Sequence, residues 1–131
     1  MHTLFFDGCS KGNPGRSGAG AVIYDADGEE LWSASWFVGD SATNNIAEYT
    51  GLIRGLEEAV NMGMDQLSVK GDSQLVIKQM KGEYKVKSDS MYKLFAEAKR
   101  LEKKIGYVIY SHVYRSDNAR ADGLSNDGLF A

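Results

Sequence analysis

The hydrophobic pattern of this chain changes period near Thr43, and that change limits the folds open to it. Before it, residues 3–9, 18–26 and 30–39 read as strands, linked by the turn Asn13-Pro14-Gly15 and the hairpin pair Asp27-Gly28. Strands joined so closely form an antiparallel meander. From Thr43 onward, Ile46, Tyr49, Leu52, Ile53, Leu56, Ala59 and Val60 recur at about 100° per residue, with Arg54, Glu57 and Glu58 opposite. An amphipathic helix ending near Gly63 is expected.

Beyond it the spacing predicts a strand over 66–72, a short helix in SQLVIKQM, a longer helix over 89–105, a fifth strand over 106–113 and a last helical segment around 118–126. Helices that cross over between the later strands require parallel pairing. The expected fold is therefore α/β, one mixed five-stranded sheet with helices packed on it. At 131 residues the chain suits a single domain over 1–131. Such a domain buries roughly two thirds of the surface its unfolded form exposes. A 43% hydrophobic and 25% charged composition with one proline leaves no segment that reads as a linker or as disordered.

Cys9 is the only cysteine, so no intramolecular disulfide is possible and a reducing, cytoplasmic setting is expected. The apolar run Leu4-Phe5-Phe6 meets Asp7 before a signal-peptide core could form, and no run approaches the ~20 apolar residues of a membrane span. Neither export nor membrane embedding is expected. The net charge of −3 argues weakly against a nucleic-acid partner, but two bound divalent cations would reverse its sign.

The acids carry more information than the total charge. Asp7 closes a buried apolar run, which is costly for a carboxylate without compensation. Asp72 ends the strand QLSVKGD, and neighbouring parallel strands would bring it beside Asp7 at the carboxyl edge of the sheet. Glu48 falls at the edge of the apolar arc of its helix, whereas Glu57 and Glu58 lie on the far side. Asp122, in NARADGLSN, can reach the same end of the sheet. Clustered carboxylates repel unless a cation holds them, and oxygen donors without His or Cys suit Mg²⁺ or Mn²⁺. The plainer alternative makes Asp7 and Asp72 turn or cap residues and Glu48 a snorkelling surface acid.

The segments FFDGCSKGNPGRSGAGAVI, TNNIAEYTGLIRGLEEA, VKGDSQLVIKQM and HVYRSDNARADGLSN, in that order, resemble the type 1 ribonuclease H family. These are metal-dependent endonucleases that cut the RNA strand of RNA/DNA hybrids. The resemblance runs from about residue 4 to residue 126 and implies a ribonuclease H-like fold. It puts the family's catalytic, metal-binding acids on Asp7, Glu48, Asp72 and Asp122, with two Mg²⁺ ions per site, or Mn²⁺. It further implies two-metal hydrolysis leaving 5′-phosphate and 3′-hydroxyl ends, with Asp7 bridging both ions.

Discrimination of RNA from DNA through the 2′-hydroxyl falls, by the same resemblance, to Ser10, Gly12, Asn13, Asn44, Asn45 and Gln74. Turn and cap chemistry is the alternative for Asn13 and Asn44. Thr43 matches a residue that holds a DNA-strand phosphate and is equally an N-cap for its own helix. The implied partner is an RNA/DNA hybrid bound by a monomer, with no membrane.

The chain departs from many members of the family in one region. The basic, tryptophan-containing protrusion that grips the DNA strand is reduced to KGEYKVKSDS, as in archaeal-like short forms, some of which accept double-stranded RNA. Lys78, Lys81, Lys85 and Lys87 with Tyr84 are a reduced substitute, a solvated lysine face being the alternative. His112 has the spacing of the family's catalytic histidine, but YVIYSHVYR reads as a strand continuing past it, which makes Arg115 the second candidate. Two rival classes keep the fold: a non-catalytic hybrid-binding module, and a related nuclease that also accepts double-stranded RNA.

Overall fold

The computed structural model describes residues 1–131. Its strands are β1 (Thr3–Lys11), β2 (Gly15–Tyr24), β3 (Glu30–Ala42), β4 (Gln66–Gly71) and β5 (Tyr107–His112). Its α-helices are α1 (Asn44–Asn61), α2 (Gln74–Met80), α3 (Asp89–Ile105) and α4 (Ala119–Asp127). Short 3₁₀ turns at Arg115–Asp117 and Gly128–Phe130 flank α4. The sheet has five strands in the order β3-β2-β1-β4-β5. β1, β2 and β3 pair antiparallel, whereas β4 pairs parallel with both β1 and β5, so the mixed sheet expected from the meander and the crossovers is present.

Local chemistry sets the element boundaries. The Asp25 carboxylate accepts from the N–H groups of Asp27 and Glu29, both at 2.9 Å, which closes the β2–β3 turn. Thr43 caps α1, its Oγ1 accepting from Ile46 N at 3.2 Å, and Ser73 caps α2 through Val76 N at 3.2 Å. The core gathers Leu4 and Phe6 of β1, Leu52 and Leu56 of α1, and Leu67 and Val69 of β4, all fully buried. α3 closes that face with Ala98, Leu101 and Ile105.

β1 divides its side chains between two layers, as strand alternation requires. Leu4, Phe6 and Gly8 face α1. A Cβ on Gly8 would lie 2.3 Å from the Ala47 and Glu48 backbone, so only glycine lets α1 come this close. Cys9 points the other way, its thiol donating to the Ser125 carbonyl of α4 at 3.2 Å. Asn118, at the start of α4, donates to the Phe6 carbonyl at 3.0 Å and ties that helix to the same strand.

Several expected boundaries move. β1 runs to Lys11, so Asp7 lies in its middle and not at its end. Parallel pairing with β4 nevertheless stops at Phe6 and Gly71, which leaves Asp7 at the edge of that pairing. β3 continues three residues past the expected Gly39, to Ala42. Asp72 lies just beyond β4, and Ser73, not Asp72, caps α2. No helix is long and apolar enough to cross a membrane.

Candidate active site

The structure brings three acids together from three separate elements. Asp7 of β1, Glu48 of α1 and Asp72 after β4 each offer a carboxylate oxygen within 4.8 Å of the others. Asp7 and Glu48 are each only 4% exposed, which removes the snorkelling alternative for Glu48. Asp122, in the first turn of α4, lines the same cavity of about 450 Å³. Glu48 sits there because the close approach at Gly8 lays α1 directly on β1.

Their electrostatics are those of a site short of positive charge. Burial and then the Asp72 charge push the Asp7 carboxyl up to about 7, with Asp122 adding to the rise and the Glu48 contact and Gly8 N–H opposing it. Burial holds the Glu48 carboxyl well above the usual carboxylate range, reinforced by Asp7 and Asp72. Glu48 Oε1 is buried and accepts no hydrogen bond, although buried acceptors are almost always paired. An orphaned carboxylate oxygen among other carboxylates, with no imidazole among the clustered donors, fits a hard divalent cation.

Around the acids, Ser10 and Asn44 line the cavity. The Ser10 hydroxyl accepts from Ser17 Oγ at 2.8 Å and lies 3.1 Å from the Ala42 carbonyl. Asn13 Oδ1 accepts from Asn44 N at 3.1 Å, joining the exposed turn that contains Gly12 to the start of α1. Asn45 is half-buried in that first turn, and Gln74 is exposed at the start of α2. Thr43 does cap its helix.

The two basic candidates separate. His112 ends β5, exposed, with Nε2 3.2 Å from the Asp72 carbonyl, and it is not on the cavity wall. Arg115 is on that wall, its Nη2 3.6 Å from Asp122 Oδ1. Lys85 and Lys87 lie apart from the acids, in a groove of about 580 Å³ with Tyr84 and Met91. Sequence reasoning missed Cys9, Lys11 and Asn126, which also line the acid cavity. Period was the available signal: Cys9 and Lys11 follow Asp7 at two and four positions along β1, and Asn126 follows Asp122 by four on α4.

A family model described as reverse transcriptase-like matches residues 5–128. Ribonuclease H of Pseudomonas savastanoi pv. phaseolicola is 33% identical over 139 residues, covering 96% of this chain and 91% of that protein. The chain belongs to the ribonuclease H family. The bifunctional protein Rv2228c of Mycobacterium tuberculosis is 43% identical over 125 residues, 95% of this chain. The chain spans about a third of that relative's length, the match covering 34% of it. Among solved structures, LC11-RNase H1 in complex with an RNA/DNA hybrid superposes with a TM-score of 0.93 at 36% identity, covering 99% of this chain and 97% of that one. In this ribonuclease H family member, Asp7, Glu48 and Asp72 form a group of ligand atoms close enough together to hold a metal ion.

Proposed function

We propose that this chain is a metal-dependent endoribonuclease that hydrolyses the RNA strand of RNA/DNA hybrids, leaving 5′-phosphate and 3′-hydroxyl ends. The observation that carries the reading is the convergence of Asp7, Glu48 and Asp72 oxygens within 4.8 Å in a chain of this family. Asp7, Glu48, Asp72 and Asp122 would hold two Mg²⁺ ions or Mn²⁺. Bound divalent cations supply Lewis acidity that activates water and stabilises the leaving 3′-oxygen.

The protein's own groups do the rest. Asp7 and Glu48 hold protons more tightly than ordinary carboxyls, and a divalent cation held between them would favour their ionised forms. Ser10, Gly12, Asn13, Asn44, Asn45 and Gln74 present hydroxyl, amide and backbone groups to the 2′-hydroxyls flanking the cut. Thr43 and the lysines at 85 and 87 receive phosphates of the DNA strand and position it without reading sequence. Arg115, 80% exposed at its side chain and close to Asp122, is free to meet the scissile phosphate and to accompany the departing product. His112, beside the Asp72 carbonyl, is the second candidate for that role.

We read the protein as a monomer, since Asp7, Glu48, Asp72 and Asp122 line one cavity of a single chain, and the free thiol of Cys9 as suited to a reducing cytoplasm. The reading is tested by incubating the protein and Mg²⁺ or Mn²⁺ with an end-labelled RNA/DNA hybrid, beside duplex RNA and duplex DNA of the same sequence. RNA-strand cleavage in the hybrid is expected. An intact hybrid in both metals contradicts the reading.

A further inference from the structure

Gln79 of α2 is 3% exposed and takes no part in the acid cluster, yet both ends of its amide are used. The Tyr49 hydroxyl donates to its Oε1 at 2.6 Å, and its Nε2 donates to the Lys85 carbonyl at 3.3 Å. Tyr49 is fully buried on α1, next in sequence to Glu48. A phenol O–H buried this completely needs an acceptor. That requirement turns the amide oxygen of Gln79 toward Tyr49 and its NH₂ toward the chain at Lys85.

The segment so held has little other support. Glu83 and Tyr84 are fixed by their N–H groups on the Lys78 carbonyl, at 2.8 and 3.3 Å. Residues 85–87 make no backbone–backbone hydrogen bond, and Val86 is their one half-buried side chain. The bond from Gln79 is therefore the one hydrogen bond that ties this run to the body of the protein. Lys85 and Lys87 are both exposed along the groove it borders. A leucine at 79 could fill a buried position without the desolvation that an amide carries, so packing alone does not account for glutamine there.

We propose that Gln79, oriented by Tyr49, is a positioning residue that fixes the Lys85–Lys87 run where its ammonium groups meet the backbone of the DNA strand. The inference rests on the proposed hybrid-binding role of those two lysines. A short segment with few bonds of its own loses conformational entropy when it binds, and a buried tether removes part of that cost in advance. Tyr49 and Glu48 are neighbours on α1, so the groove and the acid cluster are referred to the same helix.

The test measures hybrid affinity in Ca²⁺, and KM and kcat in Mg²⁺, for the parent, Gln79→Leu, Tyr49→Phe and Lys85→Ala/Lys87→Ala, and for Gln79→Leu combined with the lysine changes. Gln79→Leu is expected to raise the hybrid Kd about five-fold, the equivalent of one typical hydrogen bond, with the loss in KM and not in kcat. Tyr49→Phe, which keeps the ring and frees the amide to turn, should change Kd in the same direction by a smaller factor, and it decides the matter if Gln79→Leu does not fold. The combined variant should bind no more weakly than the lysine variant alone. Parent-like affinity in Gln79→Leu and Tyr49→Phe, or additive losses in the combined variant, overturn the inference while leaving the proposed function intact. Lysine changes without effect, or a parent that ignores the hybrid, overturn the inference together with the reading on which it rests.

Discussion

Asp7 and Glu48 come from a strand and a helix that touch at Gly8, and this contact buries both carboxyls to 4% exposure beside one another. Burial pushes Asp7 up to about 7 and Glu48 well above its usual range, so the metal-free protein keeps protons on these groups that its unfolded chain releases.

A pH dependence follows with a definite sign. A carboxyl whose folded pKa is raised binds more protons folded than unfolded, so its stabilising contribution is present below the unfolded value and lost as pH rises through the folded one. For Asp7 that window runs from 3.8 to about 7. Melting of the metal-free protein should show this component falling across the window, and Mg²⁺ should raise the melting temperature more at pH 8 than at pH 5. An equal metal shift at the two pH values would contradict it.

Neutralising one acid should stabilise the metal-free protein. At pH 8, above the raised Asp7 pKa, Asp7→Asn removes a buried charge from the cluster and is expected to raise the melting temperature by roughly 3–6 °C. Asp122→Asn should raise it less, because Arg115 already lies 3.6 Å from that carboxylate. Thermal melts in chelator compare the two.

The contact at Gly8 should tolerate no side chain. A methyl there meets backbone, not a flexible side-chain end, at 2.3 Å. Gly8→Ala is expected to cost about 2–3 kcal/mol in urea unfolding and to weaken metal binding by moving Glu48.

Removing the two lysines should lower the salt dependence of hybrid binding. Each phosphate contact adds about 0.7 to 0.9 to the magnitude of the slope of log affinity against log salt. Lys85→Ala/Lys87→Ala should therefore flatten that slope by up to two contacts' worth. An unchanged slope returns these residues to the solvated-face reading.

Much of the site was legible in the sequence because hydrophobic period reports which face a side chain occupies. Glu48 at the edge of the apolar arc, and Asp7 and Asp72 near strand ends, all reach one cavity. Period does not report where a neighbouring strand stops. Asp7 lies in the middle of β1 and at the end of its pairing with β4, a distinction that only the partner's length creates. The separation of Arg115 from His112 was hidden for a related reason. A 3₁₀ turn after β5 carries Arg115 to the cavity wall, and such short turns leave no periodic trace. The Tyr49–Gln79–Lys85 connection was invisible too, since both polar residues stand at apolar-spaced helix positions.

The most direct test of the acid cluster as the centre of RNA cleavage is the turnover of Asp7→Asn on an RNA/DNA hybrid in Mg²⁺, with folding and hybrid affinity measured on the same preparation. A fall of roughly 10³-fold or more, in a folded protein that still binds the hybrid, is the predicted result. Cleavage at the parent's rate would contradict it.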